Sequence, residues 1–286
     1  MIKVLFERMF SIDSPKAIKA TEYNYINAIN YMAPHKSGDG RTNLCSHASP
    51  ACILLCLGRE SGQAAMVSRT TGTNKVRQSR ERKARYFMGE RNAYMMEFML
   101  HTARAMRTAK RKGMKLCVRP NGATDIAYEG IRIFISPEFA AYLSKIAGTT
   151  ITQGLHTIFS AFPMVQFVDY TKNHLRFNRA IPANYSLTFS RSETNEAQAI
   201  ELLSRGFNVS VIFAGDMPQM WNGFHVIDGD KHDLRHLDPY GVVIGLSPKG
   251  NKAKREGVKL GFVVPPISTV RHATPQCLPQ DYALAA

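Results

Sequence analysis

A chain of 286 residues with 44% hydrophobic and 21% charged residues has the balance of a protein that buries a core, which excludes wholesale disorder. Its 37 Lys and Arg against 22 Asp and Glu leave a formal charge of +15, a field that attracts polyanions. No run of about 18 apolar residues occurs, and the start meets charge at Lys3 and Glu7, too early for a secretion signal, so a cytoplasmic protein without a membrane partner is expected. Five cysteines, an odd number, point to reduced thiols or metal ligation rather than to a disulfide framework.

Three of the cysteines, Cys45, Cys52 and Cys56, fall within twelve residues. Ser49 is an N-cap residue, Pro50 suits the first helical position and Gly58 suits a stop, so the spacing predicts one short helix with Cys52 and Cys56 on a single face. Cys45 would reach the same point from the preceding loop. Three thiolates with an open fourth position suit an iron-sulfur cluster with one exchangeable iron, or Zn2+ completed by His47, Cys117, Cys277 or water. The plainer alternative is that small apolar cysteines pack in a core.

From Lys75 to Lys112 there are twelve Lys or Arg against three Glu, with Phe87, Met88, Met95, Phe98 and Met99 at helical spacing. This predicts one or two amphipathic helices with a basic outer face. Lys75, Arg77, Arg80, Arg82, Lys83 and Arg85 are the candidate contacts to nucleic acid. A solvated basic face with no ligand is the alternative.

Farther on, short apolar runs read as strands: Lys115 to Arg119, Val165 to Val168, Tyr185 to Phe189, Val209 to Phe213, Phe224 to Ile227 and Val242 to Leu246. Helices are expected over Pro137 to Ala147, Gly154 to Phe162, and Thr194 to Arg205 with a Thr cap and Gly206 at its end. Alternation of this kind predicts an α/β fold with a parallel, barrel-like sheet, an incomplete TIM-type barrel. Residues 1–113, carrying the cysteine element and the basic helices, would pack on the 114–286 barrel-like region as one compact domain. Most strands run into polar residues at their C-terminal ends, where such sheets bind ligands, though Asp and Asn are also ordinary turn residues.

The candidate catalytic residues at that rim are Asp125, Asp169, Tyr170, Lys172, Asp228, Asp230, Asp233, Arg235 and Lys249. Four aspartates, three histidines and three cations crowd residues 225 to 249, and such density needs neutralisation by a divalent metal or by internal pairing of Arg235 with Asp228, Asp230 or Asp238. The pairing is favoured, because Asp-Gly-Asp is a common turn and the spacing does not fit a calcium loop. The lone Trp221 suits packing better than stacking on a base. A phosphate-cradling Gly-rich loop, a Gly-x-Ser-x-Gly elbow and a His-Glu-x-x-His helix do not occur.

The segment Asn43 to Leu57, together with Arg119-Pro120-Asn121-Gly122, Asp169-Tyr170-Thr171-Lys172 and Asp228-Gly229-Asp230, resembles a bacteriophage family, that of the mycobacteriophage "gene product eighty-eight" proteins. The resemblance runs from about Lys16 to His272 and implies a phage or mobile-element origin. A cysteine trio ahead of barrel-like strands is also similar to radical S-adenosylmethionine enzymes, which implies S-adenosylmethionine as a further cofactor. Their spacing has three and then two intervening residues, whereas here it is six and then three. The resulting expectation is a phage-encoded metal or iron-sulfur enzyme acting on nucleic acid or nucleotides. The rival expectation is a non-enzymatic nucleic-acid-binding protein of phage replication with a structural cysteine-ligated metal.

Overall fold

Val, Ile, Phe and Tyr alternate faces along the central runs, and a strand covered on both sides is the arrangement that buries them. The structure, a computed structural model, describes residues 4–266. Its strands are β1 (Phe10–Ser11), β2 (Tyr25–Asn30), β3 (Lys115–Arg119), β4 (Ile133–Ile135), β5 (Gly154–His156), β6 (Gln166–Thr171), β7 (Tyr185–Ser190), β8 (Val209–Ile212), β9 (Met220–Trp221), β10 (Phe224–Asp228) and β11 (Val243–Leu246). The helices are α1 (Pro15–Ile18), α2 (Pro50–Leu54), α3 (Leu57–Glu60), α4 (Lys75–Gly89), α5 (Arg91–Arg111), α6 (Pro137–Ala147), α7 (Ile158–Ala161), α8 (Glu196–Ser204) and α9 (Asn251–Glu256).

Nine strands form one sheet in the order β1-β2-β3-β6-β7-β8-β11-β10-β9. Every neighbour from β2 to β10 is parallel, and the two edge strands, β1 and β9, are antiparallel. The sequential order is that of a barrel until the last step, where β11 inserts between β8 and β10. The two edges do not pair with each other, so the expected parallel sheet is present as an open sheet and not as a closed barrel. The helix expected over Gly154 to Phe162 is also corrected. Gly154, at φ 117°, begins β5, which pairs with β4 in a separate antiparallel ribbon, and only Ile158–Ala161 is helical, started by a Thr157/Ser160 capping box.

One face of the sheet carries the main core. Leu116 and Val118 of β3 and Phe167 of β6 pack there with Phe98, Met99 and Leu143. The basic region divides at Glu90 into α4 and α5, and α5 lies against β2, β3 and α6. Two carboxylate and amine groups within this layer tie down the N-terminal segment: buried Glu97 accepts from the Phe6 amide at 2.7 Å, and Lys83 Nζ donates to Met9 O at 2.6 Å. Trp221 is buried in this core, as packing requires.

The other face is filled by the chain itself. Residues following β10 cross the hollow, burying Leu234 against Cys117, Val168 and Ala20. Beside it Asp233, fully buried, pairs with Arg119 at 2.8 Å and accepts from Tyr170 OH at 3.1 Å. Arg235 lies 3.2 Å from Asp238, the internal pairing that the charge density called for. A loop thus does on this face what closing strands do in a full barrel.

Candidate active site at the strand ends

A cavity of about 220 Å3 opens where β2, β3, β6, β7, β8 and β11 end, and Cys45, Cys52 and Cys56 all line it. Each cysteine is delivered by a different local device. Cys45 sits in the loop after β2: Asn43 Oδ1 accepts its amide at 2.8 Å, the His35 amide donates to its sulfur at 3.3 Å, and its thiol faces Ala123 O at 3.7 Å. Cys52 is in α2, whose N-terminus is capped by Ser49 and held by Glu193, which accepts from Ser49 Oγ at 2.8 Å and from the Ala51 amide at 2.9 Å. A small apolar cluster of Ala51, Leu55, Ala253 and Phe262 holds that helix over the mouth.

Cys56 corrects the predicted geometry. The helix ends at Leu54, and Cys56 is the N-cap of α3 with non-helical backbone at φ −52° and ψ 121°, so Cys52 and Cys56 do not share one helical face. Gly58 does not stop a helix either. It lies inside α3, and a Cβ there would approach both Ala123 Cβ and a Pro34 ring carbon to 2.9 Å, so glycine is required by close packing. The chain turns between the two cysteines yet brings both to the same cavity.

The thiols are free. Burial pushes Cys45 up to about 12 and Cys56 up to about 11, the latter against the opposing pull of the Gly58 amide, Lys172 and Arg59. A metal would have to displace those protons. Among the described residues no three His, Cys, Asp or Glu side chains converge as they would on a single metal ion. Of the possible fourth ligands, Cys117 is buried in the filled hollow and His47 is exposed and bonded to Ser46 Oγ, and neither lines the cavity; Cys277 lies outside the described residues.

Four rim candidates join the thiols at the wall: Asp125, Tyr170, Lys172 and Lys249. Asp125 accepts from the Lys172 amide at 2.8 Å and from Arg176 at 3.1 Å. Tyr170 is anchored on Asp233 beneath the Arg119 guanidinium, 4.6 Å from its ring centre. Lys172 places its ammonium 5.5 Å over the Phe262 ring and has no carboxylate partner among the described residues. Lys249 pairs with Asp230 at 2.9 Å.

The remaining rim candidates stand elsewhere. Asp169 points to the core side, where its carboxylate accepts from the Asn121 amide at 2.9 Å, Asn121 Nδ2 at 2.8 Å and Tyr185 OH at 3.1 Å. Burial raises it to about 7. Asp228 is exposed and accepts the Asp230 amide, an Asx turn; Asp230 ties β10 to Lys249; Asp233 and Arg235 belong to the loop that fills the hollow. None of these five lines the cavity.

The basic side chains of α4 are mostly committed to backbone carbonyls. Arg77 donates to Ala64 O, Arg80 to Gly58 O, Lys83 to Met9 O and the exposed Arg85 to Gly38 O, leaving Lys75 and Arg82 exposed without a partner among the described residues. Burial lowers Lys83 to about 8.

Several wall residues escape a reading by motif. His35 lines the cavity with φ 50°, a conformation rare outside glycine. Arg59, Ser190, Arg191 and Ser210 also line it, and only the strand-end cluster Ser190-Arg191 carried a sequence signal. Ser190 and Ser210 face each other at 3.1 Å, and Arg191 is committed to Glu196 and to the carbonyl of Gly261.

No helix of the described residues is long and apolar enough to cross a membrane. No curated protein and no solved structure matches the chain. The family model described as Gene product 88 matches residues 9–261, most of the chain and all of this site but Phe262, and the protein belongs to that bacteriophage family.

Proposed function

We propose that this protein is a phage enzyme whose chemistry takes place in the strand-end cavity, with an iron-sulfur cluster held by Cys45, Cys52 and Cys56 and with one iron open to a ligand. The observation that supports this most is three free thiols lining one cavity at the mouth of six parallel strands. The donor set suits the group in one respect: a backbone amide donates to the Cys45 sulfur, a hydrogen bond that steadies a ligated thiolate. A lone zinc ion would draw its sulfurs to about 2.3 Å from one point, whereas a multinuclear cluster is held by thiolates spread around it.

The cluster when bound supplies electron transfer and an open iron, and S-adenosylmethionine is the second cofactor of this reading. The chain's own groups do the rest. Lys172, beside Cys56 and without a carboxylate partner among the described residues, offsets thiolate charge and orients an anionic substrate. Asp125 holds the Lys172 backbone in place through its amide, and Tyr170 is fixed by Asp233 as a rigid wall. The aromatic and aliphatic side chains of Phe262, Ile53 and Leu55 keep water from the sulfurs. Substrates of the nucleotide class suit the excess of cations around the cavity.

Protein purified without oxygen should be brown, with iron and acid-labile sulfide in near-equal amounts, and Cys45→Ala, Cys52→Ala and Cys56→Ala should each lose them. Colourless protein with stoichiometric zinc, or iron content indifferent to all three substitutions, would overturn the proposal.

A further inference from the structure

We propose that Arg59, Arg80 and Thr73 form a phosphate-binding subsite next to the cysteine cavity, which makes the substrate a small phosphate ester such as a nucleotide. The inference deepens the reading above and rests on it only for what the neighbouring cavity does. A second cavity, of about 140 Å3, shares the walls Pro34, Ser37, Gly58 and Arg59 with the first. Gly58 makes the partition thin, since no side chain could stand between Pro34 and Ala123 there.

The cations of this second cavity differ in what already occupies them. Arg77 is committed to carbonyls, with Nε on Ala64 O at 2.7 Å and Nη2 on Arg59 O at 2.8 Å. Arg80 uses Nη1 on Gly58 O at 2.6 Å and lies 4.7 Å over the Tyr31 ring, while its Nε and Nη2 meet no acceptor among the described residues. The Arg59 side chain is exposed and has no partner among the described residues. Thr73 Oγ1 is buried with no hydrogen-bond partner. A buried hydroxyl is rarely left unpaired, and two guanidiniums with free N–H groups beside it form a donor set that matches phosphate oxygens. One carboxylate, Glu81, stands on this wall and pairs with none of the arginines. It should oppose an entering anion.

The small volume suits a terminal phosphate better than a duplex backbone, and α4 has buried Lys83 on Met9 O and tied Arg85 to Gly38 O, so neither is free for a polymer laid along its surface. A phosphate seated here would direct the rest of its molecule across Gly58 toward the three sulfurs.

Isothermal titration of the full chain with AMP, adenosine and inorganic pyrophosphate tests this. AMP should bind, adenosine should bind at least about tenfold more weakly, and pyrophosphate should compete with AMP. Arg59→Gln, at an exposed and unpartnered position that should leave the circular dichroism unchanged, should weaken AMP by about tenfold, and Glu81→Gln should tighten it, with adenosine indifferent to both. Equal affinity for AMP and adenosine, no AMP binding, or an AMP affinity unmoved by Arg59→Gln would each overturn the proposal. Iron and sulfide are measured on the same samples: colourless protein that binds AMP rejects the cluster alone, and brown protein indifferent to AMP rejects the phosphate subsite alone.

Discussion

Asp169→Ala separates an anchor from a catalyst at a rim aspartate. The carboxylate is fully buried and receives three donors, two from Asn121 and one from Tyr185. Removing it leaves those donors unpaired at the base of the loop that carries Gly122 to Asp125 into the cavity wall. Each orphaned buried donor costs about 1–3 kcal/mol, and relief of the carboxylate's own desolvation offsets part of the sum, so a loss of about 3–5 kcal/mol is expected. That is a large share of the roughly 5–15 kcal/mol that holds a domain together. With a urea slope of about 3 kcal/mol per molar for a chain of this size, the unfolding midpoint should fall by about 1–1.5 M. The sign of the pH dependence follows from burial, which raises this carboxyl from 3.8 to about 7. The folded state then keeps a proton that the unfolded chain releases, so this group's contribution to stability declines between about pH 4 and pH 7, by at most about 1.4 kcal/mol per pH unit, and is level above. Asp169→Asn cannot titrate, and the difference between it and the parent should carry that slope. An alanine variant within about 0.5 kcal/mol of the parent in urea would refute the reasoning.

Cys117→Ser should leave iron and sulfide content unchanged, because Cys117 faces the filled hollow rather than the cavity; elemental analysis beside Cys45→Ser decides it. Gly122→Ala would set a Cβ 2.6 Å from the Tyr31 ring and 2.7 Å from Asn30 O, and overpacking of this kind should cost about 1–3 kcal/mol, seen as a thermal midpoint lower by several degrees. Asp233→Asn breaks the buried pair with Arg119 and should cost about 3–5 kcal/mol in urea unfolding. An unchanged midpoint would mean that the hollow is wetter than its packing implies.

The six apolar runs after Lys115 are strands in the structure, because β-branched and aromatic residues in short blocks have few other ways to bury both faces. Five strands were missed, β1, β2, β4, β5 and β9, and of these only β2 belongs to the parallel part of the large sheet. In β2, Asn27 and Asn30 interrupt the apolar run, and Asn30 is tolerated only because Nδ2 donates to Pro120 O and Oδ1 accepts from Tyr94, partners 64 and more residues away. The same non-locality hid the filling of the hollow: nothing near Arg119 in the sequence announces Asp233. That the three cysteines line one cavity was legible from their closeness in the chain, although the helix proposed to bring Cys52 and Cys56 together ends before the second of them. Propensity did not reveal that Glu193 caps α2, nor that the arginines of α4 serve carbonyls, since both depend on where distant loops come to rest.

The loop after β10 stands in for closing strands, and its order of arrival matters. On a ribosome, Cys117, Arg119, Val168 and Tyr170 are all made before residue 229 appears, and until then the concave wall has no lid and Arg119 no counter-ion. The earlier strands can assemble their ladder and their helical layer, but the floor beneath the three sulfurs is complete only when Asp233 and Leu234 cross it. Closure of that floor thus waits for a segment made more than a hundred residues after Arg119, an ordering built into the thread of the fold.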